Sequence, residues 1–371
     1  MTSPLFTPIT FRDLTLPNRI MVSPMCQYSA RDGSATDWHM LHLGHLALGG
    51  AALLCVEATA VEAIGRITPG CLGLYCDANE RELGRVVAAI RHASPIKLGI
   101  QLAHAGRKAS SAVPWRGGML IPPDEGGWNA VGPSALPHLP DEAPPQALDR
   151  AGMERIREAF VAATRRSHRL GFDALELHAA HGYLLHEFLS PIANRRDDEY
   201  GGSLAQRMRF PLEVFDAVRA AWPSAKPLGV RLSATDWVEG GWELEQCLEF
   251  VRELKARGCD WIDCSSGGVS AQQKIPLGPG YQVPFSKRIR AEAGVRTIAV
   301  GMITEPRQAE AIIANGEADV VALARAMLYD PRWAWHAAAA LGAEAHAPEQ
   351  YWRCAPREAG RVFGNTPLGM R

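Results

Sequence analysis

Short runs of β-branched and other apolar residues recur along the chain, each followed by a longer stretch whose apolar positions repeat at helical spacing. Parallel strands joined by helical crossovers read this way in a sequence. Eight such runs stand at 19–25, 51–57, 96–102, 172–178, 227–232, 259–265, 297–301 and 319–323. The helical stretches between them cover about 38–48, 80–92, 149–170, 204–222, 243–257, 286–293 and 305–315, with a last one at about 331–341. Seven crossovers joining eight strands predict an α/β fold closed as a (β/α)8 TIM barrel, with an open doubly wound sheet as the alternative. No Gly-x-Gly-x-x-Gly opens a helix after the first run, as a dinucleotide-binding sheet would want.

Residues 109–147 break the pattern. They are rich in Gly, Pro and Trp, lack periodicity, and are too long for an ordinary connection. They are read as a loop insertion at the C-terminal face, either a plain surface excursion or a wall over the barrel mouth. With a C-terminal tail at about 345–371, the chain is read as one barrel domain over 1–371. A content of 47% hydrophobic and 21% charged residues suffices for such a core.

A formal net charge of −1, with no run of Lys and Arg, gives no field for polyanions, so neither nucleic acid nor a membrane surface is an expected partner. The start Met1-Thr2-Ser3-Pro4-Leu5-Phe6 lacks the basic and apolar blocks of a secretion signal, and no apolar segment is long enough to span a bilayer. A cytoplasmic setting is expected. The eight cysteines, scattered from Cys26 to Cys354 without Cys-x-x-Cys spacing, are read as reduced thiols.

In a barrel, polar residues at the C-terminal ends of strands face the site. The ends here carry Ser23-Pro24-Met25-Cys26-Gln27-Tyr28, Glu57-Ala58-Thr59, Gln101 with His104, Arg107 and Lys108, Glu176 with His178, His181 and Tyr183, Arg231, Ser265-Ser266-Gly267-Gly268, Gly301-Met302, and Ala324-Arg325. Glycines after the sixth and seventh strands, with an arginine after the eighth, are what a phosphate site requires: bare backbone N–H groups and a guanidinium. Ordinary turns beside a surface arginine are the alternative.

His178 and His181, three residues apart where a strand gives way to a loop, can aim two ring N–H groups at one oxygen and stabilise an enolate. Structural histidines or a metal pair are the alternatives; no third ligand with clear spacing accompanies them, so no metal is expected. Tyr183 is a candidate proton donor to a developing carbanion, or else a packing aromatic. Arg231, at a strand end inside a barrel, calls for an anionic partner. The N1 and C2-oxygen edge of a reduced flavin would serve, with Gln101 at the same pyrimidine end.

Taken together, these residues resemble the old yellow enzyme family of FMN-dependent NAD(P)H ene-reductases, and within it the thermophilic-like subclass that includes bacterial xenobiotic reductases. The resemblance runs from Leu5-Phe6-Thr7-Pro8-Ile9 and Asn18-Arg19-Ile20 to Tyr351-Trp352-Arg353. It implies FMN held by Ser23, Pro24, Met25, Cys26, Ala58, Gln101 and Arg231, with its phosphate by Gly301, Met302, Ala324 and Arg325. Ala324 stands where Gly is common in relatives. Cys26 is implied to sit near the flavin's reactive edge and tune its redox behaviour. Tyr28, His178, His181 and Tyr183 correspond to substrate positions. The segment from Asp198 to Ser203, with Arg207 and Arg209, resembles the family's capped helix start.

The tail bearing Trp352 and Arg353 resembles one that reaches the neighbouring subunit's site, which implies a homo-oligomer. The implied reaction has two halves in one pocket: NADPH or NADH gives hydride to flavin N5 and leaves, then an electrophilic alkene, an α,β-unsaturated carbonyl or nitro compound, takes its place.

Overall fold

The computed structural model describes residues 3–366; the first two residues of the starting peptide and residues 367–371 of the tail lie outside the described residues. The chain opens with a hairpin, β1 (Ile9–Phe11) and β2 (Leu14–Leu16), before the first barrel strand, β3 (Ile20–Val22). Then follow α1 (Asp37–Ala47), β4 (Leu53–Ala60), α2 (Asp77–Ala93) and β5 (Lys97–Ala103). The insertion contributes β6 (Val131–Gly132) and β7 (Gln146–Ala147) ahead of α3 (Arg150–Arg169), β8 (Ala174–Ala179), α4 (Leu184–Leu189), α5 (Leu204–Ala221) and β9 (Leu228–Ser233). The last part runs α6 (Leu244–Ala256), β10 (Trp261–Ser265), α7 (Val283–Ala293), β11 (Arg296–Ala299), α8 (Pro306–Ala314), β12 (Val320–Leu323), α9 (Arg325–Tyr329) and α10 (Trp333–Leu341).

β3, β4, β5, β8, β9, β10, β11 and β12 pair in that order, all parallel, and the ring closes where Val321 of β12 meets Ile20 of β3. These are the eight apolar runs, and their uninterrupted apolar character follows from burial on both faces. The fold is a TIM barrel. Helices cover the outside through amphipathic stripes. In α3, Met153, Ile156, Phe160, Ala163 and Ser167 are buried at helical spacing, and Asp149 caps the start by accepting from Gly152 N at 2.7 Å. α5 begins with a capping box between Ser203 and Gln206, as the sequence of that segment suggests.

A second apolar cluster fills the barrel's interior, with Met21, Leu53, Cys55, Ala174, Trp261, Ile298 and Val320 beneath the strand ends. Its floor is the β1–β2 hairpin, whose Phe11 packs edge-on against Trp261 with ring centroids 5.3 Å apart. At the hairpin's turn Arg12 locks onto the barrel through Asp260 Oδ1 at 2.7 Å and the carbonyls of Ser224 and Gly258. Trp261 fits only because Gly229 lies beside it: a Cβ at that position would stand 2.0 Å from the indole nitrogen.

The insertion is stitched to the barrel's C-terminal face. Arg107, buried, holds the carbonyls of Leu136, Pro137 and Val269, and Trp128 donates to Ile64 O at 2.9 Å.

Candidate active site

Parallel register sets the polar groups of the barrel's upper interior in one layer. Arg231 pairs with His178 of β8 on one side and Asp263 of β10 on the other, while Gln101 of β5 pairs with Glu176. Arg231 donates from Nη1 to Ser23 Oγ at 3.0 Å, and its Nε lies 3.5 Å from Asp263 Oδ2 without making a hydrogen bond. Gln101 donates from Nε2 to Glu176 Oε1 at 2.8 Å, and Trp261 donates to Glu176 Oε2 at 3.2 Å. Burial, and then the neighbouring Asp263, push the Glu176 carboxyl up to about 8 despite Arg231; burial raises Asp263 as well.

Above this layer three rings converge. His178 and His181 stand edge to face with centroids 5.0 Å apart, and Tyr183 lies 4.9 Å from His178. His178 Nδ1 accepts from Ala180 N at 3.2 Å, which leaves the ring proton on Nε2. His181 Nε2 meets Ser265 Oγ at 2.6 Å, leaving Nδ1 for a ligand. Its backbone is held at positive φ, 61°, by Ser233 Oγ, which accepts from His181 N at 2.9 Å. Burial, reinforced by Arg231, holds both imidazoles well below their ordinary range, so each is neutral at pH 7. Burial pushes Tyr183 well above the usual phenol range, so it carries its proton.

After β3, the segment from Ser23 to Tyr28 crosses the mouth, tied down where Gln27 N donates to Glu57 Oε2 at 3.1 Å. Cys26 shares a hydrogen bond with the buried thiol of Cys71; that bond and burial raise Cys26 well above the usual thiol range, while the same bond, helped by Thr68, lowers Cys71 against the effect of burial. Tyr28, at φ 52°, meets Trp115 of the insertion edge-on at 5.7 Å.

Beside the histidines opens a cavity of about 480 Å3, lined by His181, Arg231, Ser265, Gly301, Met302, Ala324 and Arg325 among others. Gly301 takes φ 120°, and a Cβ there would stand 2.8 Å from Gln282 Nε2. A larger groove of about 720 Å3, lined by Arg19, Arg290, Arg296 and Asp319, contains none of the strand-end groups and is not this site.

Most of the residues singled out from the sequence therefore meet at one mouth, Pro24, Met25 and Ala58 by their place on β4 and the segment after β3. Gly267 and Gly268 do not offer bare N–H groups to the cavity, contrary to the sequence reading. Gly267 N donates to Thr235 O at 2.8 Å and Gly268 N to Gln273 Oε1 at 2.6 Å, and Gly268 packs against the His181–Gly182 turn. Trp352 and Arg353 are not brought to this chain's own mouth: they lie on the turn Glu349–Cys354, where Trp352 packs against the small apolar cluster that includes Trp335, Ala345 and Val362 and donates to Ala347 O at 3.0 Å. Among the described residues no three His, Cys, Asp or Glu side chains form a metal-holding group.

Two neighbours carry no role in the sequence reading. Lys108 donates to His181 O at 2.9 Å and Gly268 O at 3.0 Å, with Nζ 5.2 Å from the Tyr183 ring centre. Burial pushes its ammonium down to about 8. Its place directly after the third strand was the available signal. Cys71, the other, lies 45 positions from Cys26 and no spacing rule links them.

The sequence model of the NADH:flavin oxidoreductase / NADH oxidase family matches residues 4–344. The chain belongs to this family, the old yellow enzymes. Among old yellow enzyme relatives, an NADPH dehydrogenase of Geobacillus thermodenitrificans is 44% identical over 356 residues, covering 95% of this chain and 99% of that protein. Another NADPH dehydrogenase, from Bacillus subtilis, is 42% identical over 355 residues with the same coverage. Of solved structures, a morphinone reductase superposes with a TM-score of 0.76 at 28% identity, covering 94% of this chain and 92% of that one. As an old yellow enzyme the protein is an FMN-dependent NAD(P)H oxidoreductase. No helix among the described residues is long and apolar enough to cross a membrane.

Proposed function

We propose that the protein is an ene-reductase, which reduces the activated C=C bond of α,β-unsaturated carbonyl or nitro compounds in a ping-pong cycle with NADPH or NADH. The observation that carries this reading is the convergence of two neutral imidazoles and a protonated phenol above a buried guanidinium, beside a cavity large enough for a flavin tail.

Several features of the mouth fit FMN. Arg231 Nε is buried without a hydrogen-bond partner, Gly301 keeps a Cβ-free approach to the cavity, and Arg325 supplies a guanidinium at its rim. Ser23, Pro24, Met25, Cys26, Ala58, Gln101 and Arg231 would hold the ring system, and Gly301, Met302, Ala324 and Arg325 the phosphate. When bound, FMN supplies the chemistry of taking hydride from a nicotinamide and giving it to an electrophilic carbon.

The protein's side chains then do the rest. His178, through Nε2–H, and His181, through its remaining nitrogen, grip the activating oxygen and stabilise the negative charge that develops there. Their neutrality matters, since each donates without carrying a charge that would need its own partner. Tyr183 delivers its phenolic proton to the α-carbon. Tyr28 walls the acceptor from the side of the insertion. The same groups would clasp the nicotinamide in the first half-reaction.

Supporting a cytoplasmic setting, none of the eight cysteines is paired as a disulfide among the described residues. We extend the reading to a homo-oligomer in which Trp352 and Arg353 complete a neighbouring subunit's site.

The test is an anaerobic titration of the purified yellow protein with NADPH and then a cyclic enone. Bleaching followed by recovery of the flavin band is expected. The double variant His178→Ala/His181→Ala should still bleach but recover slower by orders of magnitude, because a donor pair at an oxyanion is worth several kcal/mol. Recovery at the wild-type rate would refute the assignment.

A further inference from the structure

Below the mouth, the barrel interior holds, among the described residues, two carboxyl groups and one cation. Glu176 projects from β8, Asp263 from β10 and Arg231 from β9, and all three are buried. Arg231 divides itself between Asp263 and Ser23. Glu176 makes no ion pair among the described residues and accepts instead from the neutral donors Gln101 Nε2 at 2.8 Å and Trp261 Nε1 at 3.2 Å. Besides Asp263 and Arg231, the ionisable groups that face it are the thiols of Cys55 on β4 and Cys259 ahead of β10. Two acids with one guanidinium in a medium this dry cannot both stay charged without cost.

The geometry points to Glu176 as a positioning and proton-accepting residue of the reductive half-reaction: it fixes the Gln101 amide for the flavin and takes up a proton from solvent when hydride arrives there. This rests on the reading of Gln101 and Arg231 as contacts of the flavin's pyrimidine end. With one Nε2 hydrogen committed to Glu176, Gln101 keeps its carbonyl oxygen and a second N–H for the cofactor.

Charge accounts for the proton. The nicotinamide C–H bond breaks, its hydride forms a new N–H bond on the flavin, and the oxidised nicotinamide leaves; the flavin has been reduced by two electrons and holds one more negative charge. That charge draws on the field of Arg231, the one cation that also steadies the Glu176 carboxylate. The carboxylate then binds H+ from water, and releases it when the flavin gives its hydride away. Since burial and Asp263 already hold Glu176 up at about 8, a weakening of this field raises it further and changes its protonation above about pH 8.

Hydride transfer from NADPH to the flavin consumes no solvent proton; uptake comes either from a protein group or from N1 of the reduced flavin, and loss of uptake in Glu176→Gln separates the two. The experiment adds one equivalent of NADPH to the oxygen-free holoenzyme in weak buffer with a pH-indicator dye, following flavin bleaching and dye together from pH 7 to 9. The wild type should take up a substantial fraction of one proton per flavin, largest above pH 8, between the values for the oxidised and the reduced enzyme. Glu176→Gln, which keeps the size and one of the two acceptor oxygens but cannot bind the proton, should bleach with no uptake. Asp263→Asn should move the uptake window to lower pH, since it removes the like charge.

Because Glu176→Gln is at risk of losing flavin, a reduced-minus-oxidised infrared difference spectrum of the wild type provides a variant-free arm: a protonated carboxyl band should appear on reduction. Bleaching without proton uptake in the wild type, undiminished uptake in Glu176→Gln, or a difference spectrum without the carboxyl band would overturn the inference while leaving the flavin reading intact. A wild-type protein whose flavin does not bleach with NADPH would overturn both.

Discussion

Lys108 sets its ammonium over the ring of Tyr183, 5.2 Å from its centre, while holding the carbonyl oxygen of His181 at 2.9 Å. One cation thus braces both the proposed proton donor and one of the proposed oxygen-binding imidazoles. A desolvated cation–π contact is worth up to about 2 kcal/mol, and hydrogen bonds from a charged donor about 1.5–3 kcal/mol. Lys108→Met should therefore slow enone-driven flavin reoxidation by about tenfold or more, with kcat falling more than KM rises. Because burial holds Lys108 at about 8, the ammonium is present below that pH and lost above it. The wild-type advantage over the variant should shrink between pH 7 and 9 in stopped-flow traces.

The two histidines lead to a prediction about pH with the opposite emphasis. Burial and Arg231 keep both neutral well below pH 6.5. Phenol binding, read from the long-wavelength charge-transfer band, should show no histidine inflection between pH 6 and 7. For stability the sign is reversed: the unfolded chain binds protons at about 6.5 and the folded one does not, so stability should fall as pH drops below that value.

Glu187 on α4 accepts from Arg107 N at 2.9 Å, while its other oxygen is buried without a partner. Burial pushes the carboxyl up to about 8 from 4.5. Between those values the folded protein holds a proton that the unfolded chain has lost, so stability falls as pH rises through the window and levels off above about 8. One group contributes a slope of up to about 1.4 kcal/mol per pH unit. Glu187→Gln should lose less stability than the wild type between pH 6 and 8, measured by urea midpoints.

Trp115 is 68% exposed yet touches Tyr28. An edge-to-face contact is worth about 0.5–1.5 kcal/mol. Trp115→Ala should raise KM for bulky cyclic enones by a few-fold to about tenfold if the insertion walls the mouth; equal KM values in both proteins would make it a surface excursion.

The eight strands were legible as continuous apolar runs bounded by turns, and the helices between them because each spans enough residues for a period of 3.6 to repeat. The β1–β2 hairpin was not, since strands such as Ile9–Phe11 alternate buried and exposed over three residues, which makes neither an apolar run nor a repeated period. α4 and α9 were missed for the same reason, at six and five residues. At the site, the strand ends announced Arg231, Gln101 and the ring cluster through topology alone. What stayed hidden were contacts between distant loops. Gly267 and Gly268 looked free, but the Thr235 carbonyl and the Gln273 side chain, which sequence spacing does not connect to them, occupy their N–H groups. Cys71 reached Cys26 in the same unannounced way.

The seam between β3 and β12 joins the barrel strand synthesised first to the barrel strand synthesised last. Until residue 323 has left the ribosome, the nascent sheet has two bare edges, each a template for pairing with other chains. A product cut short before β12 is left in that condition permanently, with an intact mouth-forming sequence but an unsealed wall, and its fate is aggregation or proteolysis rather than a weaker enzyme.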